Sequence, residues 1–106
     1  MFNQLAQRKQ IPAQPAPLRI RQARHDDAAA VLRLAALDSS HVPAGDLLLA
    51  EVGEELWAAF SLEDGHAIAD PLRPSADAVL LLGARARQLH KAERRVSHRR
   101  TLRFAI

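Results

Sequence analysis

A chain of 106 residues with fifteen basic and twelve acidic side chains, a formal net charge of +3 and no cysteine makes one domain at most. It excludes disulfides, thiolate metal sites and thiol nucleophiles. No apolar run approaches the roughly 18–20 residues that span a bilayer, and the polar first ten residues lack the apolar centre of a secretory signal, so a cytoplasmic location is the expectation. The charge is segregated. Residues 25–82 carry eleven acidic and two basic side chains, whereas residues 83–106 carry eight basic and one acidic. Two explanations fit: a basic tail for an anionic partner, or a tail folded back on the domain's own acidic surface.

Residues 1–17 hold Pro12, Pro15 and Pro17 among Gln and Ala. Proline lacks a backbone donor and biases its predecessor to extended conformations, so this segment is expected to be a flexible leader. From 18 to 22, Leu18, Ile20 and Gln22 alternate with Arg19 and Arg21, the pattern of a half-exposed strand whose charged face suits a sheet edge or a solvated side. A helix is expected to begin near His25, with Asp26 and Asp27 in its first turn, where carboxylates favour the positive end of the helix dipole. Ala30, Val31, Leu34 and Leu37 form its apolar stripe. The stretch from Ser39 to Gly45 supplies the stop and the connection onward.

Three strands follow, at 47–52, 56–62 and 66–69. Gly53 suits the first central position of a tight mirror-type turn, and Asp64-Gly65 suits the centre of a second two-residue hairpin. Strict alternation puts Leu56, Ala58, Phe60 and Leu62 on one face and Trp57, Ala59 and Ser61 on the other. Leu47 to Ala50 is apolar on both faces, which calls for a layer on either side or a partner chain. The Pro-containing stretch 70–74 interrupts regular structure. Ser75 then reads as the N-cap of a second helix with Val79, Leu82, Ala86 and Leu89 as its stripe. Residues 96–106 read as a basic tail, in which Leu102, Phe104 and Ile106 alternate as a short strand would. The expected fold is α+β, in the order β-α-β-β-β-α, with a single domain over 18–95.

This order resembles the N-terminal half of the GCN5-related N-acetyltransferase (GNAT) superfamily. Leu18-Arg19-Ile20-Arg21-Gln22-Ala23-Arg24-His25-Asp26-Asp27-Ala28 is similar to that family's opening strand and helix. The stretch from Leu49 to Leu62 is similar to its second and third strands. The resemblance covers residues 18–89. It implies an acetyl-CoA pyrophosphate seat in the loop after the fourth strand, where a basic residue and glycines present backbone N–H groups at a helix N-terminus. Here that loop is residues 70–77, and Arg73 and Ser75 are its cofactor-binding candidates. It contains no glycine, two prolines and two carboxylates, and too little chain follows the helix for the family's remaining strands.

No catalytic residue, metal site or resident cofactor is expected. Glu54-Glu55 and Glu63-Asp64 lie at hairpin turns, where solvated carboxylates are usual. Histidines 25, 41, 66, 90 and 98 show no helical pair spacing. The dense charge cluster, Arg85, Arg87, Lys91, Arg94, Arg95, Arg99, Arg100 and Arg103, is the anion-binding candidate, with salt-dependent attraction to phosphates as its signature. The leading expectation is a non-catalytic GNAT-like interaction or scaffolding protein acting as a homodimer. One alternative is an acyl-CoA-dependent N-acetyltransferase completed by a partner chain. Another is an anion- or nucleic-acid-binding module acting through the basic C-terminus.

Overall fold

The computed structural model describes residues 16–105. The expected leader, apart from Ala16 and Pro17, lies outside them. The chain forms β1 (Leu18–Gln22), a 3-10 turn (His25–Asp27), α1 (Ala28–Leu37), β2 (Leu47–Val52), β3 (Glu55–Ser61), β4 (Ala67–Ala69) and α2 (Ala76–Ala105). It is an α+β fold with one four-stranded antiparallel sheet in the order β1-β2-β3-β4.

The two-sided apolar run at the start of β2 is explained by a helix on each face. Leu47, Leu49, Ala59 and Ile68 pack on Val31, Leu34 and Ala35 of α1. Leu48, Ala50 and Ala58 pack on Ala78, Leu82 and Ala86 of α2, with Leu18, Ile20, Phe60 and Leu89 partly buried around them. Leu37, expected in the α1 stripe, is 42% exposed. Ala35 takes the inward position, one turn after Val31.

Strict alternation fails once in β3. Ala50 faces Ala58 while Glu51 faces Leu56, so Trp57 is an extra residue in the ladder. Such a bulge shifts the side-chain phase. Leu56 therefore joins the α1 face, while Ala58 and Phe60 stay on the α2 face. Trp57, expected to fill a core layer beside Ala59 and Ser61, belongs to neither core cluster. Its indole N–H is enclosed without an acceptor among the described residues.

The β2–β3 turn is as expected, with Gly53 at φ +66. The expected two-residue turn at Asp64-Gly65 is instead a four-residue loop. Ser61 N–H still donates to His66 C=O, and Gly65 N–H donates to Ser61 C=O. Only Gly65 of the pair has positive φ (+78). The Ser61 hydroxyl organises this loop. It donates to Ala44 C=O (2.8 Å) and accepts from Glu63 N–H and Asp64 N–H (both 3.1 Å).

The C-terminal tail is corrected more substantially. Residues 96–105 continue α2 rather than forming a tail or strand; Ile106 lies outside the described residues. Arg99, Arg100, Leu102, Arg103 and Ala105 are strong helix formers, no Gly or Pro follows Gly83, and cations near a C-terminus favour the helix dipole. These local preferences outweigh the alternation of Leu102 and Phe104.

β4 stays at the sheet edge. Its residues Ala67 and Ala69 point their backbone groups outward, because His66 and Asp70 make the hydrogen bonds to β3. One of these outward donors is taken: Ala69 N–H donates to Asp38 Oδ2 at the end of α1 (3.1 Å). A carboxylate held there blunts an edge that would otherwise template an added strand. Asp38→Ala is expected to lower the unfolding free energy by about 1.5–3 kcal/mol, the usual value of a hydrogen bond to a charged group. An unchanged urea midpoint would contradict the role assigned to this bond.

Candidate functional site

The corner between β4 and α2 holds both cofactor candidates. Asp70 Oδ1 accepts Leu72 N–H (2.8 Å), and Arg73 N–H donates to Asp70 C=O (3.2 Å), which closes the proline-bearing turn. Arg73 is ion-paired with Glu55 at the start of β3. Ser75 is buried, and its hydroxyl donates to Asp70 C=O (3.0 Å). It stands at the N-cap position, yet its oxygen serves the turn rather than a helix donor. Both candidates are thus brought together but committed to other groups. A diphosphate would have to displace Glu55 from Arg73 and would meet Asp70 and Asp77 nearby in sequence.

The basic cluster lies along α2. At about 100° per residue, Arg87, Lys91, Arg94 and Arg95 fall within an arc of about 100°, opposite Ala78, Leu82 and Ala86. All four are exposed, and none is ion-paired among the described residues. Arg85 stands off this stripe and donates to Gln88 Oε1 (3.2 Å). Arg99, Arg100 and Arg103 continue the helix backbone; their side chains lie outside the described set. Every residue of 91–97 is exposed.

A second charged cluster was not legible as a unit in the sequence. Arg21, on a strand face expected to be solvated, donates to both Asp27 oxygens (2.8 and 2.6 Å) and to Glu51 Oε1 (2.7 Å). Asp27 Oδ2 also accepts Arg24 N–H (2.7 Å). The Arg21 guanidinium holds the Asp27 carboxyl well below the usual carboxylate range, and the Arg24 backbone bond adds to the effect. The two carboxylates in turn raise Arg21 above its ordinary value. This group joins β1, β2 and the 3-10 turn, so its chemistry is cross-linking rather than catalysis.

Two of the five histidines also meet. His41 stacks on His66 with ring centroids 4.2 Å apart and planes 8° apart, and Ser40 Oγ lies 3.2 Å from His66 Nε2. They are 25 positions apart and are joined by the α1 C-cap and the β3–β4 loop, so linear spacing could not reveal them. The Asp64 carboxylate accepts His66 backbone N–H (2.8 Å), which pulls its carboxyl below the ordinary range. That carboxylate therefore fixes the loop backbone. Among the described residues no group of three or more His, Asp or Glu can hold a metal ion, and no helix is long and apolar enough to cross a membrane.

Concavities flank the sheet, one of them, of about 330 Å³, lined by Arg33, Leu37, Glu55, Leu56, Asp70 and Arg73. An open groove of about 770 Å³ runs between α1 and residues 42–47, lined by Val31, Leu32, Val42, Pro43 and Leu47 with Arg24 and Asp27. A smaller notch of about 500 Å³ lies where β2 begins and β3 ends. Asp46, Glu63, His90 and Glu93 line it, and His90 Nε2 sits 3.2 Å from Leu62 C=O. Comparison with protein-family models, with curated proteins and with solved structures finds no match.

The Arg21 group sets the acid response. Asp27 has a lower pKa folded than unfolded, where it lies near 4. Its contribution is therefore complete above pH of about 4 and is lost as pH falls below that value. Asp27→Asn should lower stability at neutral pH by about 1–3 kcal/mol and flatten the acid decline of the unfolding free energy. A variant with the wild-type stability–pH curve would contradict this assignment.

Proposed function

We propose that this chain is a non-catalytic interaction domain with a GNAT-like half-fold, working as a homodimer. The observation that carries the reading is the course of α2. Its first half packs on the sheet through Ala78, Leu82, Ala86 and Leu89, and then residues 91–97 run fully exposed while the helix continues to Ala105. Most helical stability in proteins comes from packing rather than propensity, and an unpacked helix of about 12–15 residues is marginal in water. A helix extended past its own sheet is suited to packing elsewhere.

The GNAT likeness rests on the sequence resemblance over 18–89, and the observed element order agrees with what that resemblance implies. Against acyl-CoA chemistry stand the pairing of Arg73 with Glu55 and the engagement of Ser75 with Asp70. The exposed stripe of Arg87, Lys91, Arg94 and Arg95 favours an anionic surface as the partner, which keeps a nucleic acid as the second reading.

Sedimentation equilibrium of the full chain tests the homodimer. A mass of twice the 11.7 kDa chain is expected in the micromolar range, and a monomer at every concentration would overturn it. Acetyl-CoA should leave Tm unchanged; a concentration-dependent rise would reveal binding to the folded state and favour the acyltransferase alternative.

A further inference from the structure

The outward side of α2 exposes leucines as well as cations. Leu82 has no solvent exposure, yet Leu80 and Leu81 before it are 71% and 48% exposed. At about 100° per residue, Leu80 falls inside the arc of Arg87, Lys91, Arg94 and Arg95, and Leu81 stands about 40° beyond it on the Arg95 side. The six therefore share one face, with the apolar pair at its start and the four cations along the following turns. Between Ala78 and Arg95 the single acidic residue is Glu93, which lines the notch on the sheet side. Asp77, in the first turn, lies about 15 Å along the axis from Arg87.

A single exposed leucine is ordinary. Two of them in line with four cations, on a face turned away from the sheet, make a combined surface that the fold itself does not use. Its partner has to accept apolar and cationic side chains on one convex strip; the concavities described above are lined from other faces. We propose that this face lies on the surface of an anionic phospholipid bilayer. Leu80 and Leu81 enter the boundary between headgroups and acyl chains, while the long stems of the four basic residues hold their charges level with the lipid phosphates. The helix lies flat rather than spanning, since none of the described helices is long and apolar enough to cross. The inference adds a partner to the interaction-domain reading and does not need the homodimer.

The pairing of leucines with cations decides between the candidate occupants. A nucleic acid backbone would engage the cations and leave both leucines in water. A second copy presenting the same face would set four cations against four. An acidic protein would need an apolar cleft shaped for the leucine pair beside its carboxylates, whereas a bilayer requires no shape match. Anionic headgroups over an apolar interior take both kinds of side chain at once. The opposite side of α2 past the sheet, where Val96 follows Leu89 by seven residues and is 46% exposed, stays open to a second copy.

Co-sedimentation of the full chain with lipid vesicles tests the docking. Vesicles of equal parts phosphatidylcholine and phosphatidylserine should carry the protein down, and phosphatidylcholine alone should leave it in the supernatant. Binding should weaken as salt rises. Arg94→Glu/Arg95→Glu and Leu80→Gln/Leu81→Gln should each lower the partition coefficient about tenfold or more. All four side chains are exposed, so circular dichroism of both variants should match the wild type. No binding to the anionic vesicles would overturn the proposal. So would binding indifferent to the leucine pair, because charge alone would then account for the attraction. Capture by duplex DNA or by polyglutamate in place of the vesicles would overturn it and assign the face to nucleic acid or to an acidic protein. A dimer that ignores the vesicles would overturn this inference alone, and a monomer that binds them the homodimer reading alone.

Discussion

The central strand pair, apolar on both faces, is the constraint on which the rest of the structure depends. Leu49, Ala50, Ala58 and Ala59 have no solvent exposure, so β2 and β3 must be covered from above and below. Alanine at three of these four positions leaves little side-chain thickness and allows helices to approach closely; Ala35, Ala78 and Ala86 answer from the helix side. One consequence follows from lengths alone. The seven residues of β3 span about 23 Å, whereas the thirty residues of α2 span about 45 Å. Roughly half of α2 must therefore run beyond the layer it covers.

The same constraint places β1 and β4 at the edges, and both are occupied by charge. On β1, Arg21 is held between Asp27 and Glu51, which ties the strand to the 3-10 turn and to β2. On β4, Asp38 reaches from the end of α1 to Ala69 N–H. Both satisfy polar groups near the sheet, and Asp38 also discourages an added strand at β4.

Much of this was legible in the sequence. The two-sided apolar run of β2 and the Gly53 turn each rest on a short-range rule that the folded chain obeys. The α2 stripe was equally clear, because Leu82, Ala86 and Leu89 follow the helical period. What was hidden depends on residues far apart in the chain. Trp57 becomes an extra residue only in register with Ala50 and Glu51, and that register moves Leu56 to the opposite face. Asp64-Gly65 looks like a two-residue turn until the Ser61 hydroxyl gathers two of the loop's N–H groups. Arg21 looks solvent-directed until Asp27 and Glu51 arrive on either side. The α2 extension is hidden for a different reason: Val96, Ser97, His98, Thr101 and Phe104 are indifferent helix formers, and only the absence of Gly and Pro after Gly83 allows the helix to run on. Of the site candidates, Arg73, Ser75 and the basic stripe could be located in advance, but not the partners that occupy the first two, nor the notch beside the third.

The proposed homodimer would hold the far half of α2, which continues as one helix to Ala105. Amide hydrogen exchange over residues 91–97, followed across a dilution series, tests this most directly. Protection of these amides should rise with protein concentration, while that of the sheet-packed residues 78–89 stays high and constant. Rapid exchange of 91–97 at every concentration would contradict it.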